Sequence, residues 1–341
     1  MKVRVGGDLG DSIFSLSIIR QIPDGPHDVF FVDQEGRCTK DFTKRTHLLI
    51  PLFEKQPYIK SAKNCKAPAD IDFTEFRNFH GSTVTIPQAQ AIHLGVKTGI
   101  IIDDHGVTPW LTVKSPLKSR SGIIIARSER YNNDLMPWKR IVEHYGWRRL
   151  TFVGLPDEHV RFCSAFGAVQ YQPVKHFYEL AQLIHASALF IGNQSSPMSL
   201  AIGMGHPFIE ECDKNQPDCV FNRTNAQYVC DGACTLPDID GSGVLEIAAP
   251  DQDVSHFSRN MVPPGYWQYP GLPPSSDFNS QKILVAQLDK CHSDEADLKL
   301  MLQNVKRVPH FFADRGHAPL ETFKTAYQKA FGKKELQTQQ Q

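Results

Sequence analysis

Residues 190–211 read FIGNQSSPMSLAIGMGHPFIEE, and the order of residue types in this stretch decides the fold. The apolar run Ala188-Leu189-Phe190-Ile191 predicts a buried strand, turned by Gly192 and Asn193. Ser195 and Ser196 are good N-cap residues and Pro197 suits a first helical turn, so a short helix is expected over Met198–Met204. His206-Pro207 ends that helix before a second apolar strand. A strand, a polar turn and a helix with unsatisfied first amides make an anion site, with a phosphate or diphosphate as the expected occupant.

The N-terminus repeats this architecture. Residues 1–21, MKVRVGGDLGDSIFSLSIIRQ, start with a strand at 2–6, pass a turn loosened by Gly6, Gly7 and Gly10, and continue in a helical apolar pattern over 11–21. Asp8 and Asp11 fall where the helix dipole favours a negative side chain. Either can be a simple cap, but three glycines around one turn also leave room for a close approach. The GxGxxG dinucleotide fingerprint is absent, which disfavours a nicotinamide site.

Between these stretches, strands alternate with helices. A strand at 28–32, a helix near Leu48–Glu54 and a helix at 87–95 complete the first half. Residues 114–121 read as a linker. Beyond them come a strand at 123–125, the polar loop RSERYNND, and a helix opened by Pro137-Trp138 and running to Tyr145. A strand at 150–153, a helix capped by Asp157 through Phe166 and a helix over Phe177–His185 then lead into the opening stretch. Alternating βα units predict parallel sheets with helices on both faces, and two such units place ligands at strand C-termini facing a shared cleft. The expected division is 1–118 as an acceptor-side unit, 119–280 as a donor unit, and 281–341 as helices packing across both. Helices are expected over 281–305 and 319–332, after the irregular segment MVPPGYWQYPGLPPSS.

The bulk numbers set limits. A chain of 341 residues fits two domains, and 41% hydrophobic with 22% charged residues is ordinary for a globular protein. The 37 basic and 37 acidic residues cancel, so nothing indicates a nucleic-acid partner, although a nucleobase acceptor is not excluded by charge. No apolar run of about 18 residues predicts a membrane span, and the start lacks a signal-peptide pattern, so a cytoplasmic location is expected. The eight cysteines are then expected as reduced thiols. Cys212, Cys219, Cys230 and Cys234 cluster, but without the CxxC pairs of structural zinc.

The segments GDLGDSIFSLSIIR, FVGLPDEH and GNQSSPMSLAIGMGHP, in this order, resemble the heptosyltransferase-like glycosyltransferases of family 9. The third is similar to that family's donor-site signature, Asn-Asp-Ser-Gly-Pro-Met-His-Leu-Ala. Here Gln194 stands for its aspartate, Ser196 for its glycine and Ser199 for its histidine, a divergent GNQS form that does not carry over ADP-heptose as donor. The resemblance implies the α/β GT-B fold, two Rossmann-like domains with a cleft between them. It also implies an inverting, metal-independent glycosyltransferase moving a sugar from a nucleotide-diphosphate donor, as co-substrate, to an acceptor hydroxyl on a glycan, a protein or a modified nucleobase.

By the same resemblance Asp11 is the base, with Asp8 on the same turn as its rival. Gly10, Arg127, Arg130, Asn193, Gln194, Ser195, Ser196, Ser199 and Glu211 are the candidate donor and diphosphate residues. Arginine forks suit phosphate oxygens, the serines and helix amides meet leaving-group charge, and a glutamate at a strand end can accept from ribose hydroxyls. Of the adjacent Glu210 and Glu211, one is expected to point outward, because strand residues alternate faces. Trp138 and Trp267 are expected in packing roles, while Tyr266, Trp267 and Tyr269 could form an acceptor platform. The triplets Asp238-Ile239-Asp240 and Asp251-Gln252-Asp253 follow no convincing strand, so no metal or other cofactor is expected. A GT-B-type epimerase and a non-catalytic nucleotide-binding partner protein are the alternatives.

Overall fold

The computed structural model describes residues 1–32, 42–76, 85–100, 102, 104, 106, 108–114, 122–213, 219–221 and 225–239. The first unit runs β1 (Lys2–Val5), α1 (Leu9–Ile19), β2 (His27–Phe31), α2 (Phe42–His47), α3 (Ile50–Glu54), β3 (Ile59–Asn64), β4 (Ile71–Asp72) and α4 (Ile86–Thr98). Its sheet has the order β3-β2-β1-β4 and every pairing is parallel. α4 starts where the sequence allows it to: the Gln88 side chain accepts the Thr85 amide, Thr85 returns the bond, and Gly99 closes the helix at φ 74°.

The second unit runs β5 (Ile123–Ala126), α5 (Trp138–Tyr145), β6 (Leu150–Phe152), α6 (Pro156–Phe166), β7 (Gln170–Tyr171), α7 (Phe177–Ala186), β8 (Leu189–Asn193), α8 (Ser196–Met204), β9 (Phe208–Glu211) and β10 (Ala226–Val229). Its parallel sheet has the order β10-β9-β8-β5-β6-β7. β5, β8, β9 and β10 are buried along their whole length, as strands covered on both faces must be. The fold is thus α/β with two Rossmann-like units. In each sheet the chain moves outward over three strands and then crosses back. The switch points lie between β1 and β4 and between β5 and β8, where ligands bind in open parallel sheets.

An apolar seam joins the units. α1 packs on α8, and Phe14 stacks on Phe221 at 5.6 Å between ring centroids, with Trp110 at 5.9 Å. The amides of Trp110 and Leu111 both donate to the Gly203 carbonyl of α8, at 2.8 and 2.9 Å. One buried cluster therefore contains Val3 and Phe31 of the first sheet together with Phe190 and Phe208 of the second. A separate cluster around Trp138, Phe152 and Ile191 covers the outer face of the second sheet.

Several local expectations change. Gly192 and Asn193 do not turn the chain but extend β8, pairing with Ala126 of β5 and with Glu210 and Glu211 of β9; a Cβ at Gly192 would lie 2.8 Å from the Ala126 carbonyl. Leu155, not Asp157, is the N-cap of α6, and Asp157 falls in its first turn. Ser195 holds the N-cap position of α8, but its hydroxyl accepts no helix amide and instead donates back to the Asn193 carbonyl at 3.2 Å. α2, β7 and β10 were not anticipated. The boundary at 118/119, the helices expected over 281–305 and 319–332, and Tyr266, Trp267 and Tyr269 lie outside the described residues.

Candidate active site

Asp8 is the N-cap of α1 and Asp11 its third residue, in a capping-box arrangement. The Asp11 carboxylate accepts the Asp8 amide at 2.8 Å and is 2% exposed. Gly7 has φ 89°, and a Cβ there would lie 2.4 Å from Asp11 Oδ2. The space at Gly7 is therefore filled by the protein's own carboxylate. Gly7→Ala combines a left-handed backbone with that collision, so it is expected to cost more than about 1–2 kcal/mol, read as a lowered urea midpoint.

Gly10 has a different job. A Cβ there would meet Ser199 Oγ at 3.2 Å and Ser196 Cα at 3.9 Å. The first turns of α1 and α8 therefore lie against each other, and Ser199 is buried in that contact. Two helix N-termini, one from each switch point, converge there, so their dipoles favour negative charge at the same place.

The side chains above this contact are charged. Asp8 Oδ2 pairs with Arg130 Nη1 at 3.1 Å, joining the β1–α1 turn to the loop after β5. Asp8 Oδ1 lies 3.8 Å from Arg45 Nη1 on α2. The Arg130 side chain is 59% exposed, so it has room to change partners.

Arg127 is committed elsewhere. Its Nε and Nη2 both meet the Glu211 carboxylate at 2.9 Å, and its guanidinium stacks over Phe166 at 5.2 Å. Glu211 also accepts the Asn133 amide at 2.7 Å and Trp138 Nε1 at 3.0 Å. Trp138 is 1% exposed, so its expected packing role holds and carries a hydrogen bond as well. Glu210 and Glu211 are both fully buried: the sheet is covered on both faces, so neither points outward.

Asn193 and Gln194 also bind protein. Asn193 donates to the carbonyls of Arg130 (2.6 Å) and Ser128 (3.2 Å) and accepts the Ser128 amide at 3.1 Å. It thereby holds the loop after β5 against the end of β8. Gln194 accepts the Asp213 amide at 2.9 Å and is 5% exposed. Of the sequence candidates, Asp8, Ser195 and Ser196 are partly exposed and Arg130 is exposed. Asp11, Asn193, Gln194, Ser199 and Glu211 are buried, and the Arg127 side chain is 18% exposed.

Two contributors were missed. Arg45 sits in a stretch without periodicity, and no pattern marked it. Asn133 belongs to the polar loop RSERYNND, where a run of polar residues after a buried strand was the available signal. Its Nδ2 donates to the carbonyls of Cys212, Val229 and Cys230, at 3.1, 3.1 and 2.9 Å.

Among the described residues, no group of three or more His, Cys, Asp or Glu side chains could hold a metal ion. The four clustered cysteines divide. Cys212 belongs to the core shared by both units, with Cys219 and Cys230 against it. Cys234 joins the outer cluster with Trp138, where burial pushes its thiol up to about 11. Among the described residues, no helix is long and apolar enough to cross a membrane.

No family model matches this chain, and no curated protein does. Solved structures similar to it include E. coli heptosyltransferase WaaC with ADP-2-deoxy-2-fluoro heptose, at 12% identity and TM-score 0.39, covering 67% of this chain and 93% of that one. E. coli ADP-heptose lps heptosyltransferase II is similar at 13% identity and TM-score 0.44, covering 67% and 90%. A glycosyl transferase family 9 protein from Veillonella parvula is similar at 12% identity and TM-score 0.41, covering 67% and 84%.

Proposed function

We propose that this chain is a glycosyltransferase that moves a sugar from a nucleotide-diphosphate donor to an acceptor hydroxyl, with inversion and without a metal ion. One observation carries the reading: the N-termini of α1 and α8 meet at Gly10 and Ser199, between the switch points of two Rossmann-like sheets. Phosphate chemistry suits a helix start, and transfer needs a carboxylate on the opposite wall. The motif resemblance agrees with both, and inversion and metal independence rest on that resemblance.

In this reading the donor diphosphate lies at Ser195, Ser196 and the first turn of α8. Arg130 leaves Asp8 to meet its oxygens, so that guanidinium and helix dipole together stabilise the departing charge. Asp11 takes the proton from the acceptor hydroxyl as the glycosidic bond forms. Asp8, on the cleft side of the same turn, orders it between cations from both units. Arg127, Asn193 and Glu211 position the loop that carries Arg130. The acceptor is a hydroxyl-bearing glycan or another molecule presenting a hydroxyl.

The test is a thermal-shift and calorimetric series with uridine, adenosine, guanosine and cytidine diphosphates and their sugars. One base is expected to raise the melting temperature, and Arg130→Ala to weaken its binding by about tenfold, the size of one charge-assisted hydrogen bond. A flat response from every nucleotide would overturn the donor site.

A further inference from the structure

The ends of β9 and β10 bring two thiols together. The strands pair in parallel, with Glu211 opposite Val229, so the next residues, Cys212 and Cys230, stand opposite each other. The Cys212 amide donates to the Val229 carbonyl at 3.0 Å, which keeps this alignment one residue past the strand. Cys212 belongs to the buried apolar core, and Cys230 packs against the same core. Neighbouring strands lie about 4.8 Å apart, inside the Cα separation a disulfide spans. Both cysteines lie just beyond regular strand, where the backbone can adjust, and both are reduced in the structure.

We infer that Cys212 and Cys230 form a redox-convertible dithiol, closed to a disulfide by a low-molecular-weight disulfide such as oxidised glutathione. Cys230 is the entry point, being partly exposed while Cys212 is fully buried. Burial, and after it the neighbouring Cys230 and Glu210, push the Cys212 thiol well above its ordinary value, which makes it the poorer first nucleophile. The Cys230 thiolate attacks one sulfur of the oxidant, forming a mixed disulfide and releasing one thiolate, which takes up the proton Cys230 gave. Cys212 then attacks the Cys230 sulfur, the protein disulfide forms, and the second half of the oxidant leaves with the Cys212 proton. The dithiol loses two electrons and two protons, and the oxidant gains both.

The bridge would tie the strand ends at a sensitive place. Asn133 already gathers the carbonyls of Cys212 and Cys230, and the following residue, Asp213, donates its amide to Gln194. Closing the pair therefore fixes the segment on which Gln194 rests.

The experiment uses the full chain equilibrated in reduced and oxidised glutathione mixtures, then alkylated, digested without reduction and mapped by mass spectrometry. A Cys212–Cys230 linked peptide is expected to become the major form at the oxidising end and to disappear on return to reduced glutathione. In Cys212→Ala, a lasting glutathione adduct on Cys230 is expected instead. A dominant link from either residue to Cys219, or a wild-type chain that holds glutathione on Cys230 without passing it on, would overturn the inference. The wild-type peptide map decides even if the variant folds poorly.

Discussion

Asp11→Asn is expected to lower the transfer rate by about 10²-fold or more while leaving the melting temperature close to that of the unaltered protein. Asparagine keeps an oxygen where the Asp11 carboxylate accepts the Asp8 amide, so the capping interaction survives. What it removes is the capacity to take a proton. The substitution therefore separates the two jobs that an aspartate at the third position of a helix can do. A base predicts a large fall in turnover with donor binding intact, whereas a cap alone predicts normal turnover. Asp8→Asn is the companion measurement, made with the donor that the nucleotide series identifies. Should Asp8→Asn lose the rate and Asp11→Asn keep it, the base is the residue held by Arg130 and Arg45.

The second large effect concerns stability. Glu211→Gln is expected to cost about 3–5 kcal/mol, seen as a fall in the urea midpoint. The change is nearly isosteric, so no cavity contributes. It leaves the Arg127 guanidinium with no charge opposite it, and it turns an amide NH2 toward donors that met a carboxylate oxygen: Arg127, the Asn133 amide and Trp138 Nε1. Glu211 is fully buried and the Arg127 side chain is 18% exposed, so water offsets little of this loss. Adding Arg127→Met to Glu211→Gln is expected to recover part of it, because the unpaired charge is then gone. A cost below about 1 kcal/mol for Glu211→Gln would mean the pair behaves as a surface ion pair.

Much of this architecture was legible in the residues. The buried strands β5 and β8 were marked by the short apolar runs Ile123–Ala126 and Ala188–Ile191, and such runs mark parallel strands covered on both faces. The start of α8 was legible because serine and proline act locally, through their own turn, whereas α1 begins at Leu9 with Asp8 as its N-cap, two residues before the expected start at 11. β10 was hidden because AQYV puts a buried glutamine among its apolar residues, and that Gln227 accepts the Thr235 amide, a bond made outside the strand. The site divides along the same line. Residues that act through their own turn, such as Asp8 and Ser195, were found where they stand. Arg127 and Glu211 were read as donor residues because their chemistry suits phosphate and ribose, and Asn193 through the donor-site resemblance. Their side-chain hydrogen-bond partners in the β5 loop and β9 lie 61 to 84 residues away in sequence, beyond the reach of any local pattern. Arg45 was invisible for the same reason: only the tertiary approach of α2 to the β1–α1 turn gives it a role.

The seam between the units has a consequence for motion. Proteins that close around a substrate by swinging two lobes have a thin, polar waist whose few contacts can break and reform. Here the waist is an aromatic core, with Phe14, Trp110 and Phe221 in ring contact across it and the backbone of residues 110–111 fastened to α8. Separating the lobes would carry these rings into water, at roughly 1.5–3 kcal/mol for each large side chain exposed. The lobes are therefore welded where they meet, and in the proposed transfer substrate traffic falls to the loops at the strand ends. Amides of α1 and α8 beyond their first turns, which have carbonyl partners within the helix, are accordingly expected in the slowest hydrogen-exchange class, the one that opens only when the whole molecule unfolds.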